Sequence, residues 1–238
     1  MSAVRQIVAR NLARVRERMA EAALGCGRDP SDIALVAVVK YVDLPAVEAV
    51  IAAGCRELGE SRPQQLWRKA DALPGDRVHW HLVGHLQRNK VAQTLPYVTL
   101  IHSVDSIRLA KAIDERAAEI GRTVPVLLEV NISGDEAKHG FAPDELEPRL
   151  AELGELHHIA VRGLMAMAAL VGGPQRARRD FAMLRELRDK MAAVAPQNIR
   201  LDDLSMGMSS DFEEAIREGA TIVRIGSALF AGLENDER

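Results

Sequence analysis

The chain has 238 residues, of which 47% are hydrophobic and 27% are charged, so it is long enough to bury a large core. Its net charge of -3 and its 3% of aromatic residues argue against a basic or base-stacking surface, so nucleic acid is not an expected partner. Two cysteines are too few for a disulfide framework, and no apolar run approaches the roughly 20 residues that span a membrane. These features predict a cytoplasmic protein with no membrane partner.

Residues 1–24 predict an amphipathic helix, and a repeating pattern of strands and helices follows it. Short apolar runs rich in β-branched residues alternate with longer amphipathic stretches. The runs predicted as strands are residues 33–39, 55–60, 79–84, 98–104, 124–132, 159–167, 202–207 and 221–226. Alternating units of this kind form a parallel sheet with right-handed crossovers.

Eight strand–helix units in roughly 200 residues favour a closed barrel over an open doubly wound sheet. The predicted fold is therefore an α/β protein, a single (β/α)8 TIM-type barrel with an extra N-terminal helix. No linker divides the sequence, so residues 1–238 are predicted to form one domain. In such barrels the functional groups lie at the C-terminal ends of the strands, and phosphate is commonly held after strands seven and eight.

Lys40 directly follows the first predicted strand and would therefore stand at the barrel mouth. Desolvation by the barrel walls disfavours an ammonium group, so the amine could act as a nucleophile toward an aldehyde. A lysine that simply ends a strand and points to water explains the same position, and on this residue alone that explanation is favoured.

The segment LSMGMSSDFEEAI (204–216) predicts a strand, a glycine turn and a helix that starts near Ser209 and Ser210. Gly226 and Ser227 repeat this plan after the eighth strand, and the free N–H groups at two such helix starts would suit a phosphate monoester. Two capped helices without a ligand explain the serines equally well. Capping does not explain Arg224, a charge inside an apolar run, because a buried arginine needs a partner.

Three histidines, His79, His81 and His85, raise the question of a metal site. His79 and His81 alternate onto one face of a strand and could share an ion. No carboxylate lies close in sequence, so packing or hydrogen bonding of His81 inside the barrel is the favoured explanation. Lys90 and Lys138 lie in predicted mouth segments, where each is either an anion contact or a solvated residue.

Together these segments resemble the pyridoxal phosphate homeostasis protein family, a group similar to the barrel domain of alanine racemase. The matching segments are AVVK (37–40), GES (59–61), WHLVGHLQRNK (80–90), HSVD (102–105), NISGDEAKHG (131–140), RGLMAM (162–167), LSMGMSSDFEEAI (204–216) and VRIGSALFAG (223–232). One departure is Ser61, where the family usually has Asn. The resemblance implies a fold-type III barrel that binds pyridoxal 5′-phosphate (PLP) and balances the supply of vitamin B6.

The resemblance also implies roles for individual residues. Lys40 would hold PLP as a Schiff base, and Arg224 would face the pyridine nitrogen. A guanidinium group only donates hydrogen bonds, so the ring would stay unprotonated and be a weak electron sink. The remaining predicted contacts to the cofactor are His81, Met206, Ser209, Ser210, Gly226 and Ser227.

Three functions compete. The favoured one is a monomeric, non-catalytic carrier that supplies PLP to apo-enzymes. An amino-acid racemase needs acid/base groups on opposite faces of the cofactor. Its second group is expected on another domain, and Tyr41 is expected on the opposite side of its strand from Lys40. A cofactor-free aldolase with a Schiff base on Lys40 is the third function, and it does not predict Arg224.

Overall fold

Eight parallel strands pair in chain order and close into a barrel in the computed structural model, which describes residues 2–73, 78–135, 139–169 and 171–233. The strands are β1 (Ala34–Val38), β2 (Glu57–Glu60), β3 (His79–Leu82), β4 (Val98–Val104), β5 (Val124–Glu129), β6 (Ile159–Met165), β7 (Asp203–Ser205) and β8 (Ile222–Ile225). Strand β8 pairs with β1 as well as with β7, which closes the sheet. The predicted closed barrel is confirmed, and the open sheet is wrong.

Helices surround the barrel where the sequence has its amphipathic stretches. They are α1 (Ala3–Leu24), α2 (Leu44–Ala52), α3 (Pro63–Ala72), α4 (Val91–Thr94), α5 (Ile107–Glu119), α6 (Leu146–Gly154), α7 (Gly173–Ala192) and α8 (Phe212–Arg217). The side chains of Ser2, Asp43 and Ser106 cap α1, α2 and α5 by accepting hydrogen bonds from free N–H groups of the first turn. No helix in the described part of the chain is long and apolar enough to cross a membrane.

The N-terminal helix α1 completes the outer ring of helices. The prediction of a helix after every strand is wrong for β8, because residues 226–232 form turns with no α-helix. Helix α1 packs against both α8 and α2, and so fills the place that a helix after β8 would take. Its Asn11 donates to the carbonyl oxygens of Leu229 and Ala231, at 3.0 and 2.9 Å. Helix α1 thus also anchors the segment that follows β8.

Two apolar layers fill the molecule. The larger lies between the strands and the helices, and the smaller fills the barrel. The buried members of the small layer are Val36, Leu100, Leu127, Met165 and Ile222. Because side chains alternate along a strand, polar residues two positions away from these face the interior as well. They include His102, Glu129 and Arg224.

Candidate functional site

Lys40 lies in a turn beyond the C-terminal end of β1, as the sequence predicts. Its side chain is exposed rather than desolvated by the barrel walls. The next residue, Tyr41, has a φ of 64°, a conformation that costs energy in a non-glycine residue and is often found at functional sites. The Nζ atom of Lys40 lies 5.5 Å from the centre of the Tyr41 ring. The prediction that Tyr41 lies on the opposite side of the strand from Lys40 is wrong. Both residues lie beyond the end of β1, where side chains no longer alternate between two faces.

A buried ion pair fixes the backbone just before Lys40. The ammonium group of Lys69, on α3, donates to the carbonyl oxygen of Val39 at 2.7 Å and to Glu60 Oε2 at 2.8 Å. Glu60, at the end of β2, is 1% exposed, and Lys69 is 8% exposed. The other oxygen of Glu60 accepts a hydrogen bond from the N–H of Ser61 at 2.8 Å. Sequence reasoning missed this pair, because the two residues gave no signal that they would meet.

One hydroxyl and two backbone N–H groups converge in the segments that follow β7 and β8. The hydroxyl oxygen of Ser209 accepts from the N–H groups of Gly226 and Ala228, both at 3.2 Å. A Cβ atom added to Gly226 would lie 3.3 Å from the carbonyl oxygen of Val38, so this backbone approaches β1 closely. The hydroxyl and the two N–H groups form a small cradle, which we call the β7–β8 cradle.

The predicted helix caps differ from the observed ones. Asp211, not Ser209 or Ser210, is the residue before α8, and its carboxylate accepts from the N–H of Met208 at 2.6 Å. Ser209 is thereby left to bond the turn after β8, while Ser210 and Ser227 are exposed. The cradle is therefore built from a hydroxyl and turn N–H groups rather than from two helix starts.

Arg224 is buried on β8, with 4% of its surface exposed. Its Nη1 donates to Ser205 Oγ at 2.7 Å, and its Nη2 donates to the carbonyl oxygen of Ala166 at 3.1 Å. Burial lowers the pKa of Arg224 to about 10, and the charges of Glu129 and Asp211 oppose that shift. Within the described residues it forms no ion pair, so its partners are neutral oxygens.

Glu129, at the end of β5, is a second charged residue inside the barrel, and 5% of its surface is exposed. Burial, with the charge of Asp105, raises its pKa to about 6, although Arg224 and His139 favour the charged form. Sequence reasoning overlooked this residue. The sequence pattern that could have found it is the one that identified Arg224, a charged residue inside an apolar run.

The prediction that His81 hydrogen-bonds inside the barrel is confirmed. Its Nδ1 lies 2.8 Å from His102 Nε2, and its Nε2 lies 2.8 Å from Glu57 Oε2. His79 Nδ1 bonds the other oxygen of Glu57 at 2.6 Å. The carboxylate is therefore supplied by β2, which is distant from these histidines in the sequence. The side chain of Met206 is fully buried in the layer between strands and helices, away from the barrel interior.

Another group of possible metal ligands lies at the mouth. One ligand atom each from His85, Asp105 and His139 falls within 4.8 Å of the others. The two imidazole rings are stacked, with centroids 4.3 Å apart and planes at 17°. An ion in the plane of one ring would not lie in the plane of the other, so this arrangement is that of a histidine stack beside a carboxylate. Lys138 lies outside the described residues.

Two clefts of about 470 and 610 Å³ flank this stack, and both are open to solvent. They share Asp105, Ser106 and Arg108, and neither is lined by Lys40, Arg224 or the β7–β8 cradle. The convergent polar groups of the site therefore lie on the other side of the mouth.

The comparisons with known proteins agree on the class of barrel. The family model for the alanine racemase N-terminal domain matches residues 6–234. The pyridoxal phosphate homeostasis protein of Aquifex aeolicus is 40% identical over 219 residues, which cover 92% of this chain and 95% of the relative. The Escherichia coli protein of the same name is 35% identical over 236 residues, which cover 97% of this chain and 99% of the relative. The chain therefore belongs to the alanine racemase N-terminal domain family and, within it, to the pyridoxal phosphate homeostasis proteins.

Solved structures agree with this assignment. A structure of PipY from Synechococcus elongatus with PLP bound has a TM-score of 0.84 and 36% identity, and covers 94% of this chain and 100% of its own. An unknown protein from Bifidobacterium adolescentis has a TM-score of 0.91 and 40% identity, with 97% of each chain covered. The alanine racemase of Clostridium difficile is 16% identical with a TM-score of 0.74, covering 97% of this chain and 58% of its own. That last likeness concerns the fold.

Proposed function

We propose that this protein binds PLP, holds it as a Schiff base on Lys40 and takes part in vitamin B6 homeostasis. The observation that carries the proposal is that Lys40, the β7–β8 cradle and Arg224 belong to three adjacent strands or to the turns that follow them. The strands are β7, β8 and β1, and the turns stand at the C-terminal end of the barrel. The relatives named as pyridoxal phosphate homeostasis proteins, and PipY with PLP bound, support the choice of ligand.

The chemistry of the three parts fits the three ends of PLP. The exposed amine of Lys40 is accessible to the aldehyde group. In the β7–β8 cradle the N–H groups of Gly226 and Ala228 donate to Ser209 Oγ, and a phosphate oxygen would replace Ser209 as their acceptor while the hydroxyl turns to donate to it. Arg224 offers a buried guanidinium to the pyridine nitrogen. When bound, PLP supplies an electrophilic imine carbon and a conjugated ring.

Two features favour a carrier over an enzyme. Arg224 can only donate a hydrogen bond, so a ring nitrogen held beside it would be unprotonated and would withdraw electrons weakly. Tyr41 shares a turn with Lys40, so it would approach the cofactor from the same side as the lysine. The other tyrosine of the chain, Tyr97, donates its hydroxyl hydrogen to Asp71 Oδ1 at 2.9 Å. We infer a non-catalytic monomer that releases PLP to apo-enzymes.

The racemase remains the second candidate, because the fold is shared with alanine racemase. Both functions are tested by adding PLP to the purified protein and recording visible absorbance and exchange of amino-acid α-protons with solvent. A yellow, borohydride-sensitive band without α-proton exchange supports the carrier. A band with exchange at the rate of a true racemase overturns the non-catalytic assignment. A colourless protein that takes up no PLP overturns the binding proposal, and an aldolase with a sugar phosphate becomes the better hypothesis.

A further inference from the structure

A continuous chain of hydrogen-bonded side chains crosses the barrel from the mouth to its opposite end. The first link joins Arg224 Nη1 to Ser205 Oγ at 2.7 Å. The second joins Ser205 Oγ to His102 Nδ1 at 2.8 Å, and the third joins His102 Nε2 to His81 Nδ1 at 2.8 Å. The fourth joins His81 Nε2 to Glu57 Oε2, also at 2.8 Å. Arg224 belongs to the C-terminal half of β8, whereas Glu57 is the first residue of β2. The side chains therefore connect the candidate site to the N-terminal end of the barrel.

Solvent reaches this chain at its far end. Ser205 and His102 are fully buried, and His81 is 6% exposed. The side chain of Glu57 is 34% exposed, and its second oxygen bonds His79, whose side chain is 47% exposed. A proton on the chain can thus exchange with water at Glu57 and His79.

The two ends fix the position of each hydrogen atom. Arg224 can only donate, so the Ser205 hydroxyl accepts from it and gives its own hydrogen to His102 Nδ1. His102 then carries its hydrogen on Nε2 and donates to His81. His81 in turn carries its hydrogen on Nε2 and donates to the Glu57 carboxylate. In the neutral chain both histidines are therefore the Nε2–H tautomer.

The environment keeps His102 neutral. Burial, with the charges of His81 and Arg224, holds the pKa of His102 well below its usual value. Burial raises the pKa of Glu57, but the hydrogen bonds and the charges of His81 and His79 outweigh that effect and lower it overall. Glu57 is thus a carboxylate that bonds His81 at the solvent end of the chain.

The chain can accept one further proton without breaking. When the N–H bond of a proton donor beside Arg224 breaks and its proton is delivered to Ser205 Oγ, the hydroxyl hydrogen passes to His102 Nδ1, and the Nε2 hydrogen of His102 passes to His81 Nδ1. Ser205 again has one hydrogen, His102 is neutral with its hydrogen on Nδ1, and His81 is an imidazolium paired with Glu57. Each step breaks one O–H or N–H bond and forms another.

We propose that Ser205, His102, His81 and Glu57 form a proton relay, oriented by Arg224, which takes up a proton released beside Arg224 and stores it on His81 next to Glu57. The proposal rests on the proposed function, because PLP that arrives with a protonated ring nitrogen must lose that proton to accept a hydrogen bond from Arg224. Arg224 repels the proton at the mouth, and Glu57 attracts it at the far end.

The surrounding charges preserve this difference between Arg224, which repels a proton, and Glu57, which attracts it. The charged groups that act on Arg224 are Glu129 and Asp211, from β5 and the segment after β7, and they only partly offset its charge. The groups that face His81 are Glu57 on β2 and His102 on β4. His79 shares the Glu57 carboxylate from the solvent side. Within the described residues Glu57 is the carboxylate that bonds His81, so the proposed relay places the stored proton there.

Nitrogen-15 NMR of histidine-labelled protein tests the relay directly. Without ligand at neutral pH, His102 and His81 are expected as neutral Nε2–H tautomers, and this result does not depend on PLP. With PLP bound, His81 is expected to carry hydrogen on both nitrogens and His102 to change to Nδ1–H. A ligand-free His102 that carries its hydrogen on Nδ1, or histidine signals that PLP binding leaves unchanged, would overturn the relay.

Proton counting gives the second readout, by calorimetry of PLP binding in two buffers of different ionisation enthalpy. Glu57→Gln removes the charge that stabilises the stored proton, so it should release up to one more proton per bound PLP than the wild type. Asp203→Asn is the matched control and should behave as the wild type. That carboxylate begins β7, where it accepts from Thr221 Oγ1 at 3.1 Å, outside the chain.

The outcomes separate the two proposals. Equal proton release by the wild type and Glu57→Gln, with normal PLP binding, overturns the relay and leaves the binding function intact. If Glu57→Gln does not fold, His81→Gln interrupts the same chain and should show the same added release. Failure of the wild type to bind PLP overturns the proposed function and the PLP-linked proton uptake, while the ligand-free tautomers still decide whether the directed chain exists.

Discussion

Charged residues inside the barrel are the residues that most clearly mark the site. Arg224 and Glu129 both interrupt apolar strands, and both are almost fully buried. A charged side chain is rarely buried inside a barrel without a partner, because removing its charge from water costs free energy that burial of an apolar side chain does not. Each influences the other's pKa, although no hydrogen bond joins them in the described structure. Arg224 was predicted from this signal, and Glu129 could have been.

Glu129 gives a pH-dependent prediction. Its pKa is about 6 in the folded protein and 4.5 in the reference state, so the folded protein binds this proton more tightly. The stabilisation by that proton is complete below pH 4.5 and is lost as the pH rises through 6, at a cost of about 2 kcal/mol. Glu129→Gln should therefore raise the free energy of unfolding by up to about 2 kcal/mol at pH 7.5 and leave it unchanged at pH 4.

Urea unfolding at the two pH values measures this difference. Glu155→Gln, at an exposed position, is the control and should change the stability little at either pH. An equal effect of Glu129→Gln at both pH values would contradict the assigned cause.

Ser209 gives a prediction about the phosphate. Replacing it by Ala removes one hydrogen bond to a charged group, which is worth about 1.5–3 kcal/mol, or roughly 10- to 100-fold in the Kd of PLP. Pyridoxal, which lacks the phosphate, should bind the wild type and Ser209→Ala equally. Absorbance titrations with both compounds test this, and an equal loss of affinity for the two would show that Ser209 acts elsewhere.

At the scale of elements, α3 and β2 hold the end of β1 in place. The ammonium group of Lys69 is shared between Glu60 and the carbonyl oxygen of Val39. Both partners are buried, so removing one leaves a charge without compensation. The turn that carries Lys40 follows directly, so this pair holds the backbone that leads into the lysine.

Lys69→Met should lower the free energy of unfolding by about 3–5 kcal/mol, because Glu60 then remains buried and unpaired. The double variant Lys69→Met with Glu60→Gln should recover part of that loss, since the buried charge is gone. Chemical denaturation of the two variants and the wild type measures both effects. A double variant less stable than Lys69→Met alone would contradict the account of an unpaired buried carboxylate.

The sequence predicted the elements better than their ends. All eight strands were placed correctly, because apolar runs alternate clearly with amphipathic stretches. The helix cap near Ser209 and Ser210 was predicted wrongly, because Asp211 takes the position before α8. Ser209 instead bonds the turn after β8. Contacts such as Lys69 with Glu60, or His81 with Glu57, depend on barrel closure and leave no local pattern in the sequence.

At the scale of the whole molecule, the N-terminal helix α1 completes the ring of helices around the barrel. It covers the gap between α8 and α2 and bonds the segment after β8 through Asn11. The sequence predicted the helix but not its place, because an amphipathic stripe shows that a helix is packed and not what it packs against. The residues after β8 include the N–H groups of the β7–β8 cradle, so α1 supports the site from outside.

Leu12 and Leu24 test the contribution of α1. Leu12 is 1% exposed and Leu24 is 68% exposed on the same helix. Leu12→Ala should lower the free energy of unfolding by about 2–5 kcal/mol, because it leaves a cavity under α1. Leu24→Ala should change it by less than about 0.5 kcal/mol. Equal effects in thermal or urea unfolding would contradict the packing of α1 into the ring.

The attachment of PLP to Lys40 is the central claim, and mapping the modified residue tests it most directly. The protein is loaded with PLP, reduced with borohydride, digested and examined by peptide mass spectrometry, beside Lys40→Ala. The account predicts a reduced pyridoxyl group on the peptide that contains Lys40, and no stoichiometric modification in the variant. A stoichiometric label on another lysine, with Lys40 unmodified, would contradict it.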